Sequence, residues 1–283
     1  MRYLNYRFLL CIVLFACMSI HAQKKTVAVG TLKINSSVEE AAVAEGKGAS
    51  LKRVAEAIDG QIINALNGTR KFTIVSRSDS DAIMEEKGAL GEIFSFADAD
   101  YLLVANVDDF QDYVQEAYFP AMGKTVKKRQ IRLGMVANIY DKDSRLIEST
   151  NFQFDNKDTS TPSNFATESG NLSDALLRQI AEQMGSKIST RVVDVIYPAK
   201  ILALTGKQAT VSRGDGTGIA KDQIWEVFAL GEDLIDPDTG ENLGGDEVYV
   251  GEIKIIRVTP KFSSGIITED YGVTKGSIVR RKS

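Results

Sequence analysis

The pattern of apolar positions in the first third of the chain predicts three strands. β-Branched and apolar residues dominate Thr26 to Ile34, Phe72 to Val75 and Asp100 to Phe110. Each of these runs is followed or preceded by a stretch with helical spacing. The resulting β-α-β-α-β order is typical of a mixed sheet with helices packed against it.

Two helices are predicted between these strands. From Leu51 to Leu66, apolar residues recur every three or four positions, which places one apolar stripe on an amphipathic helix with Ser50 as its N-cap. Asn67-Gly68 is expected to end that helix. Ser78 to Lys87 is predicted as a second helix, and Asn35 to Ala49, rich in small and charged residues, as a loop.

The middle of the chain has the period of an antiparallel hairpin. Apolar residues occupy every second position from Gln130 to Tyr140, which predicts a strand with one buried face. Asp141 to Ser144 is predicted as the turn, and Arg145 to Phe154 as the returning strand. The polar run from Asn156 to Asn164, which contains a proline, is predicted as a loop.

A long helix and an all-β segment complete the pattern. From Leu172, apolar residues at every fourth position predict a helix of about 25 residues that ends before Tyr197-Pro198. Glycine-rich turns then separate six short apolar runs, which predicts a small closed barrel or sandwich. The runs are Ile201–Leu204, Ala209–Ser212, Ile224–Leu230, Val248–Val258, Ser264–Thr268 and Ile278–Arg280.

The predicted fold class is therefore α/β (α+β), a mixed sheet with packed helices followed by a small all-β, barrel-like C-terminal domain. We place the signal peptide at residues 1–22, the α/β domain at residues 23–197 and the small β-barrel domain at residues 198–283.

The first 22 residues are predicted to direct export. Two arginines precede an apolar stretch of 11 residues from Phe8 to Met18, which is too short to span a membrane. Cleavage after Ala22 would release a soluble protein. Alternatively, Leu14-Phe15-Ala16-Cys17 is similar to a bacterial lipobox, and Cys17 would become a lipidated first residue. Both outcomes predict a periplasmic or cell-envelope protein, soluble or lipid-anchored to the outer membrane.

Export would also remove the most reactive side chains. The single histidine, His21, and both cysteines, Cys11 and Cys17, lie in this segment, so the mature chain would hold no imidazole and at most one thiol. This excludes triads, zinc sites and haem ligation that need His or Cys. Loss of Arg2 and Arg7 changes the net charge from −4 to −6, which argues against nucleic-acid binding.

Four motifs favour structural interpretations. Gly123-Lys124-Thr125 lacks the earlier glycine of a phosphate-binding loop, because Tyr118 stands there. Gly214 to Gly218 precedes a predicted strand instead of a helix, so we predict a tight turn. Asp236 to Asn242 is predicted as a hairpin turn, with calcium binding at Asp236 and Asp238 as the alternative. Asp108-Asp109 should point to opposite faces of a strand, which does not make an acid/base pair.

One basic cluster is a candidate contact surface. Its position beside a predicted hairpin strand favours a solvated edge that discourages aggregation, with contact to an acidic partner or anionic lipid as the alternative. The cluster comprises Lys124, Lys127, Lys128, Arg129 and Arg132. Because no set of residues resembles an active site, we predict no catalytic residue, cofactor or resident metal.

The first domain resembles the CsgG family of bacterial envelope proteins, which includes the curli secretion component and is similar in fold to activators of penicillin-binding proteins. The resemblance rests on the order and spacing of five degenerate stretches. They are Val27–Val29, Ala65–Leu66 followed by Phe72–Arg77, Ile83–Glu86, Ala99–Val104, and the hairpin Ala137–Asp141 through Leu146–Ser149. Ser76 and Ala105 depart from the residues common in the family.

The C-terminal segment resembles the final domain of flagellar assembly protein T. The matching stretches are Gly214–Val227, Asp236–Gly240, Gly251–Ile255 and Lys275–Val279. Both resemblances imply a non-enzymatic protein that assembles into rings or acts as a scaffold at the outer membrane.

The expected function is that of an envelope assembly or scaffold protein that self-associates and associates peripherally with the outer membrane. Membrane-spanning strands need one uninterrupted apolar face of about 9–11 residues. Tyr113 to Ile139 has basic residues on both faces and Asn151 to Asn164 is too polar, so we expect no pore-lining role. Two alternatives remain: a binding module that activates a peptidoglycan synthase, and an enzyme acting through carboxylates.

Overall fold

A computed structural model of the chain describes residues 24–76, 99–119, 124–157, 174–238, 240 and 242–282. These residues form three helices and two six-stranded sheets, which confirms the predicted α+β class. The predicted helix at Ser78 to Lys87 and the predicted start of the long helix at Leu172 lie outside the described residues.

The first sheet and its helices occupy the first two thirds of the chain. In chain order the elements are β1 (Lys25–Val29), β2 (Lys33–Ile34), α1 (Ser36–Ala44), α2 (Gly48–Gly68), β3 (Phe72–Ser76), β4 (Tyr101–Phe119), β5 (Lys124–Asp141), β6 (Leu146–Lys157) and α3 (Asp174–Ile196).

The first sheet mixes parallel and antiparallel pairing. Its strand order is β3-β1-β4-β5-β6, and β2 pairs with β4 beside β1. β1 lies parallel to both neighbours, with Val27 opposite Ile74 of β3 and Tyr101 of β4. Parallel neighbours need a crossover connection, and α1 and α2 lie in the connection from β1 to β3. β4, β5 and β6 follow as an antiparallel meander.

We call the part of the molecule formed by the first sheet and its helices the first half, and the part formed by the second sheet the second half. The core of the first half lies between its sheet and helices α2 and α3. The five predicted inward positions of β5 are at most 4% exposed, which confirms the alternation: Ile131, Leu133, Met135, Ala137 and Ile139. The positions of α3 predicted at four-residue spacing are buried as well: Leu176, Ile180, Met184, Ile188 and Val192. These two periodic patterns therefore predicted the core correctly.

The beginning of the chain differs from the prediction in three places. The expected single strand from Thr26 to Ile34 is interrupted after Val29, where the Leu32 N–H donates to Asp59 Oδ1 at 2.9 Å. The expected loop contains helix α1, which buries only Ala42. Ser50 is not an N-cap, because α2 begins at Gly48 and Ser50 is buried in its first turn.

The hairpin strands are longer than predicted. β4 continues to Phe119 and β5 begins at Lys124, and the two strands pair along their whole length. The predicted turn at Asp141 to Ser144 is present: Asp141 Oδ1 accepts hydrogen bonds from the N–H groups of Asp143 and Arg145, both at 2.9 Å. The strand extensions are charged, which is why apolar alternation did not reveal them.

The last third of the chain forms the second sheet. Its strands are β7 (Ile201–Thr205), β8 (Gln208–Val211), β9 (Ile224–Ile235), β10 (Asn242–Val258), β11 (Ser263–Asp270) and β12 (Ile278–Arg281). All six predicted strands are present, in the order β12-β9-β10-β11-β8-β7.

The second sheet is not closed into a barrel by a continuous ladder, which corrects the expectation of a closed barrel. A single antiparallel bridge between Lys200 and Ile278 links its two ends. The Val279 N–H donates to Ala199 O, and the Ile201 N–H to Ser277 O, both at 2.9 Å. Register shifts interrupt the pairing of β10 with both of its neighbours, and bulges of this kind favour bending of a strand.

Buried apolar residues divide into two clusters, one in each half. The last fully buried member of the first cluster is Val193 in α3, and the second cluster begins at Ala199. Trp225 is buried in the second cluster. The two clusters meet around Tyr197-Pro198; the domain limits given above stay a prediction.

Helices α2 and α3 approach each other closely at Gly185. A Cβ built on this glycine would lie 2.9 Å from the backbone carbon and oxygen of Gln61. Contacts that short do not occur between a real Cβ and backbone atoms, so a side chain here would force the helices apart.

We predict that Gly185→Ala lowers the free energy of unfolding by about 1–3 kcal/mol through this overpacking. Gly60→Ala on α2 is the matched control, since no atom lies within 4 Å of its added methyl group. The control should stabilise the helix by roughly 0.5–1 kcal/mol. Urea denaturation measures both, and an equal effect of the two substitutions contradicts the prediction.

Candidate functional site

A glycine-rich loop of the second half lies against the helices of the first half. A Cβ on Gly216 would be 3.0 Å from the carbonyl oxygen of Gly68, at the end of α2. A Cβ on Gly218 would be 2.6 Å from Thr190 Cγ2, on α3. Both glycines have positive φ, at 75° and 80°. The sequence correctly predicted a turn here, and the structure adds that the turn joins the two halves.

Arg213 lies at the start of this loop and is the largest polar side chain buried in the described chain, at 1% exposure. Its Nη2 donates to the carboxylate of Asp194 on α3. Its backbone oxygen accepts a hydrogen bond from Ser263 Oγ at 2.8 Å. Next to it, Lys71 Nζ donates to Ser212 O at 2.9 Å. Polar groups of both halves therefore meet at one place, which we call the junction.

The junction holds positive charge that its own acid does not balance. Nε and Nη1 of Arg213 are buried and have no hydrogen-bond partner among the described residues. Burial lowers the pKa of Arg213, and it raises the pKa of Asp194 despite the attraction of the guanidinium. Burial and the nearby Arg213 both lower the pKa of Lys71.

A cleft with a volume of about 840 Å³ opens beside the junction, between α3 and β12. Apolar side chains from both halves form part of its wall, including Phe152, Trp225 and Ile278. Five cationic side chains and two acidic ones also line it: Lys187, Arg191, Arg213, Arg280 and Arg281, against Glu148 and Asp194. The cleft therefore has three positive charges in excess, in a chain whose net charge is −4.

No role was predicted for Arg213 from the sequence. A useful signal was nevertheless present, because an arginine follows the buried strand residue Val211 closely and directly precedes a run of glycines. Glycines permit close approach of two backbones, and an arginine beside such an approach has few routes to solvent. Asp194 was not identifiable, because its partner lies 19 residues away across the junction.

The predicted basic cluster lies along β5. The backbones of Lys124, Lys127, Lys128 and Arg129 belong to this strand, and their side chains lie outside the described residues. Arg132 forms an ion pair with Asp109 of the neighbouring strand, with 3.3 Å between Nε and Oδ2. Cys17, the candidate lipid attachment site, lies outside the described residues.

Asp108 and Asp109 do not point to opposite faces as predicted. A register shift in β4 between Val107 and Asp109 places two residues opposite one on β5. A Cβ built on Gly134 would lie 2.6 Å from Asp108 Oδ1 and 3.0 Å from Asp109 Cβ, so both side chains adjoin the same glycine. The bulge explains the error, because strict alternation holds only in a regular strand.

The Asp236 loop has the geometry of a hairpin turn between β9 and β10. The Gly240 N–H donates to Asp236 O and the Asp238 N–H to Asp236 Oδ1, both at 2.8 Å, and Gly240 has a φ of 70°. Throughout the described residues, no group of three or more His, Cys, Asp and Glu side chains is arranged to hold a metal ion.

Several carboxylates with altered pKa values serve structural contacts. The Thr26 N–H lowers the pKa of Asp100, with a hydrogen bond of 2.8 Å. The Val273 and Gly272 N–H groups lower that of Asp270 in the same way. A hydrogen bond from Thr150, at 2.5 Å, lowers the pKa of Glu148. These groups stabilise turns and strand ends in their ionised form.

Within the described residues, no helix has the length and apolar character needed to cross a membrane. No family model and no curated protein matches the chain. The CsgG-family resemblance therefore stays a prediction.

Among solved structures, the chain is similar to several bacterial proteins at low identity. A hypothetical protein from Chlamydia trachomatis is 9% identical with a TM-score of 0.39, and the match covers 62% of this chain and 99% of that one. The PelC dodecamer from Paraburkholderia phytofirmans is 13% identical with a TM-score of 0.31, covering 59% and 88%. A minor lipoprotein from Acinetobacter baumannii is 10% identical with a TM-score of 0.32, covering 60% and 91%.

We predict that Asp194→Asn destabilises the protein at pH 7 by about 1–3 kcal/mol, because the buried Arg213 loses its counterion. The matched control is Glu148→Gln, which breaks the pair with Arg191, a side chain that is 45% exposed against 1% for Arg213, and should cost about 0–1 kcal/mol. Urea denaturation at pH 7 measures both. A smaller loss for Asp194→Asn than for the control would contradict the burial argument.

We also predict that Gly218→Ala destabilises the protein by about 2–4 kcal/mol, from its positive φ and the collision with Thr190. Gly276→Ala should cost only about 1 kcal/mol, because its φ is also positive but no atom lies within 4 Å of the new methyl group. Adding Thr190→Ser, which removes Cγ2, should restore part of the loss in Gly218→Ala alone. Equal melting temperatures for the two alanine variants would refute the close contact.

Proposed function

We propose that this protein is a non-catalytic envelope assembly or scaffold protein of the CsgG-like type, exported to the periplasm, that self-associates without lining a membrane pore. The observation behind this proposal is the two-stranded extension of β4 and β5 beyond the rest of the first sheet.

The extension, which we call the arm, consists of residues 114–119 of β4 and 124–129 of β5. β6 accompanies β5 only as far as Gln130, which pairs with Lys157. Beyond that pair, the strands of the arm pair only with each other among the described residues. At about 3.3 Å per residue, six residue pairs extend the sheet by roughly 20 Å.

A two-stranded ribbon of this kind is marginally stable in water without further contacts. Both of its outer edges also present backbone N–H and C=O groups that no described strand pairs. A neighbouring chain can supply the missing contacts through strand pairing. The arm therefore has the properties of an assembly element.

The charge distribution favours a second copy of the chain as the partner. The arm contains four cationic residues on β5 and one acidic residue, Glu116, on β4. Because the whole chain has a net charge of −4, the remainder carries −7. Opposite charges on the arm and the body would steer one copy onto another.

Four of the five described carboxylates with altered pKa values favour a non-catalytic role; the fifth, Asp194, has a raised pKa and lines the cleft, but it is paired with Arg213. Asp100, Asp141 and Asp270 are held in their ionised form by backbone N–H groups in strand ends and turns. General acid/base chemistry at neutral pH needs the opposite, a carboxyl group whose pKa is raised and that faces a substrate site.

Removal of the arm tests the proposal. Tyr113 and Gln130 pair directly, so an Asn-Gly turn can replace residues 114–129 without changing the remaining register. We expect the full chain to form oligomers in light scattering and the shortened chain to be a monomer with an unchanged melting temperature. A full chain that stays monomeric at every concentration and crosslinks to no envelope protein in cells would refute the proposal.

Charge-reversal variants distinguish a specific role of the arm from a general effect of net charge on self-association. Lys127→Glu with Lys128→Glu should weaken self-association by about tenfold or more, because two attractions become repulsions. Lys207→Glu with Lys275→Glu changes the same number of charges at exposed positions of the second half and should leave it within about twofold of wild type. Equal weakening by both pairs would show that the arm is not the interface.

A further inference from the structure

The cleft at the junction collects side chains from both halves of the molecule. Lys187, Arg191 and Asp194 come from α3, whereas Arg280 and Arg281 come from β12. Arg213 contributes from the loop that joins them. A molecule in this cleft would therefore contact the two halves at once, in a region that does not include the arm.

The cationic side chains of the cleft differ in the internal ion pairs and hydrogen bonds that they make. Arg191 binds Glu148 with 2.8 Å between Nη2 and Oε1. Arg280 makes two hydrogen bonds to Glu247, which lies outside the cleft. Within the described part of the chain, Lys187 donates only to a backbone oxygen, Gln153 O at 2.6 Å. Arg281 has no acidic partner among the described residues and is exposed.

Arg213 lies beneath this surface at 1% exposure and is paired with Asp194. Asp194 offsets much of its charge, but solvent weakens the remaining field in the cleft less than it weakens the field of a surface arginine. The apolar residues Phe152 and Trp225 in the wall have the same effect, because they exclude water from part of the cleft. Lys187 and Arg281 remain as the groups that can contact a ligand directly.

The excess of positive charge in the cleft favours a phosphate group over a single carboxylate as the ligand. Arg191, Arg213 and Arg280 each have a carboxylate partner, which leaves the positive charges of Lys187 and Arg281 in excess. One carboxylate would balance only one of these two charges. A phosphate group carries about −1.5 to −2 charges at neutral pH and offers three acceptor oxygens for lysine and arginine donors. The volume of about 840 Å³ also lies within the range typical of small-molecule sites.

We propose that the junction cleft binds a phosphate-bearing ligand, with Lys187 and Arg281 as direct contacts beside the buried pair of Arg213 and Asp194. The chemistry is shared by soluble phosphate esters and by phospholipid headgroups. Because the ligand contacts α3 and β12 together, its binding stabilises the junction and raises the melting temperature.

Calorimetric titration of the full chain with pyrophosphate tests this proposal. We expect pyrophosphate to bind and to raise the melting temperature at low ionic strength, with binding weakened at high salt. Acetate at the same ionic strength should give no stabilisation. Lys187→Ala and Arg281→Ala should each weaken pyrophosphate binding about three- to tenfold, since each removes a charge-assisted contact.

Arg257→Ala is the matched control. Arg257 lies in the same sheet as Arg281 and is also exposed, but it does not line the cleft. Unchanged affinity in Lys187→Ala and Arg281→Ala, or an equal loss in Arg257→Ala, would overturn the proposal. So would an absence of pyrophosphate binding up to millimolar concentration. Lys187→Ala and Arg281→Ala break no ion pair among the described residues. We therefore expect both variants to fold, and a loss of affinity would report on the cleft itself.

Vesicles identify the source of the phosphate. If phosphatidylglycerol vesicles bind the protein, and if Lys187→Ala with Arg281→Ala and free pyrophosphate both reduce that binding, the natural ligand is a lipid headgroup. If pyrophosphate binds and these vesicles do not, the ligand is a soluble phosphate compound. Deletion of the arm should leave pyrophosphate binding unchanged, which separates this site from the proposed assembly function.

Discussion

The ion pair between Arg213 and Asp194 is the constraint on which the arrangement of the two halves depends. A guanidinium that is almost completely buried needs a nearby carboxylate, and the only way to supply one from α3 is to hold the second sheet against that helix. Gly216 and Gly218 permit the same approach of the two halves, because a Cβ at either position would lie too close to Gly68 of α2 or Thr190 of α3. The cleft is the space left between surfaces that are fixed in this way.

The distribution of charge gives the molecule two distinct cationic regions in an otherwise acidic chain. The arm carries four cationic residues on β5, in a ribbon that extends beyond the pairing of β5 with β6. The cleft holds its cations against an apolar wall between the halves, where the same charges act over a longer range. The two regions are therefore suited to different tasks: encounter with a large surface, and retention of a small anion.

Sequence periodicity predicted the parts of the fold in which one face is buried and the other is solvated. The two-residue period of β5 and the four-residue spacing of α3 correctly identified their inward positions. Helix α1 was not predicted, because only Ala42 of this helix is buried and its sequence therefore has no apolar stripe. The bulge at Asp108 and the pairing of the arm depend on neighbouring strands, which a local pattern does not contain.

The candidate site was less predictable than the fold for a related reason. Arg213, Asp194 and Arg281 are far apart in sequence and belong to three different elements, so no spacing rule connects them. The Gly214–Gly218 turn was predicted from its composition, but its contact with α2 and α3 follows from tertiary packing. Sequence alone therefore identified the loop and missed the site beside it.

The bridge between the two ends of the second sheet also bears on how the chain folds. Ala199 and Val279, which are joined by a backbone hydrogen bond, are about 80 residues apart, so this contact closes a large loop and forms late. Until β12 is in place, β7 and β9 each leave one edge unpaired. During synthesis the second half thus remains open to unwanted strand pairing with other chains until β12 is made.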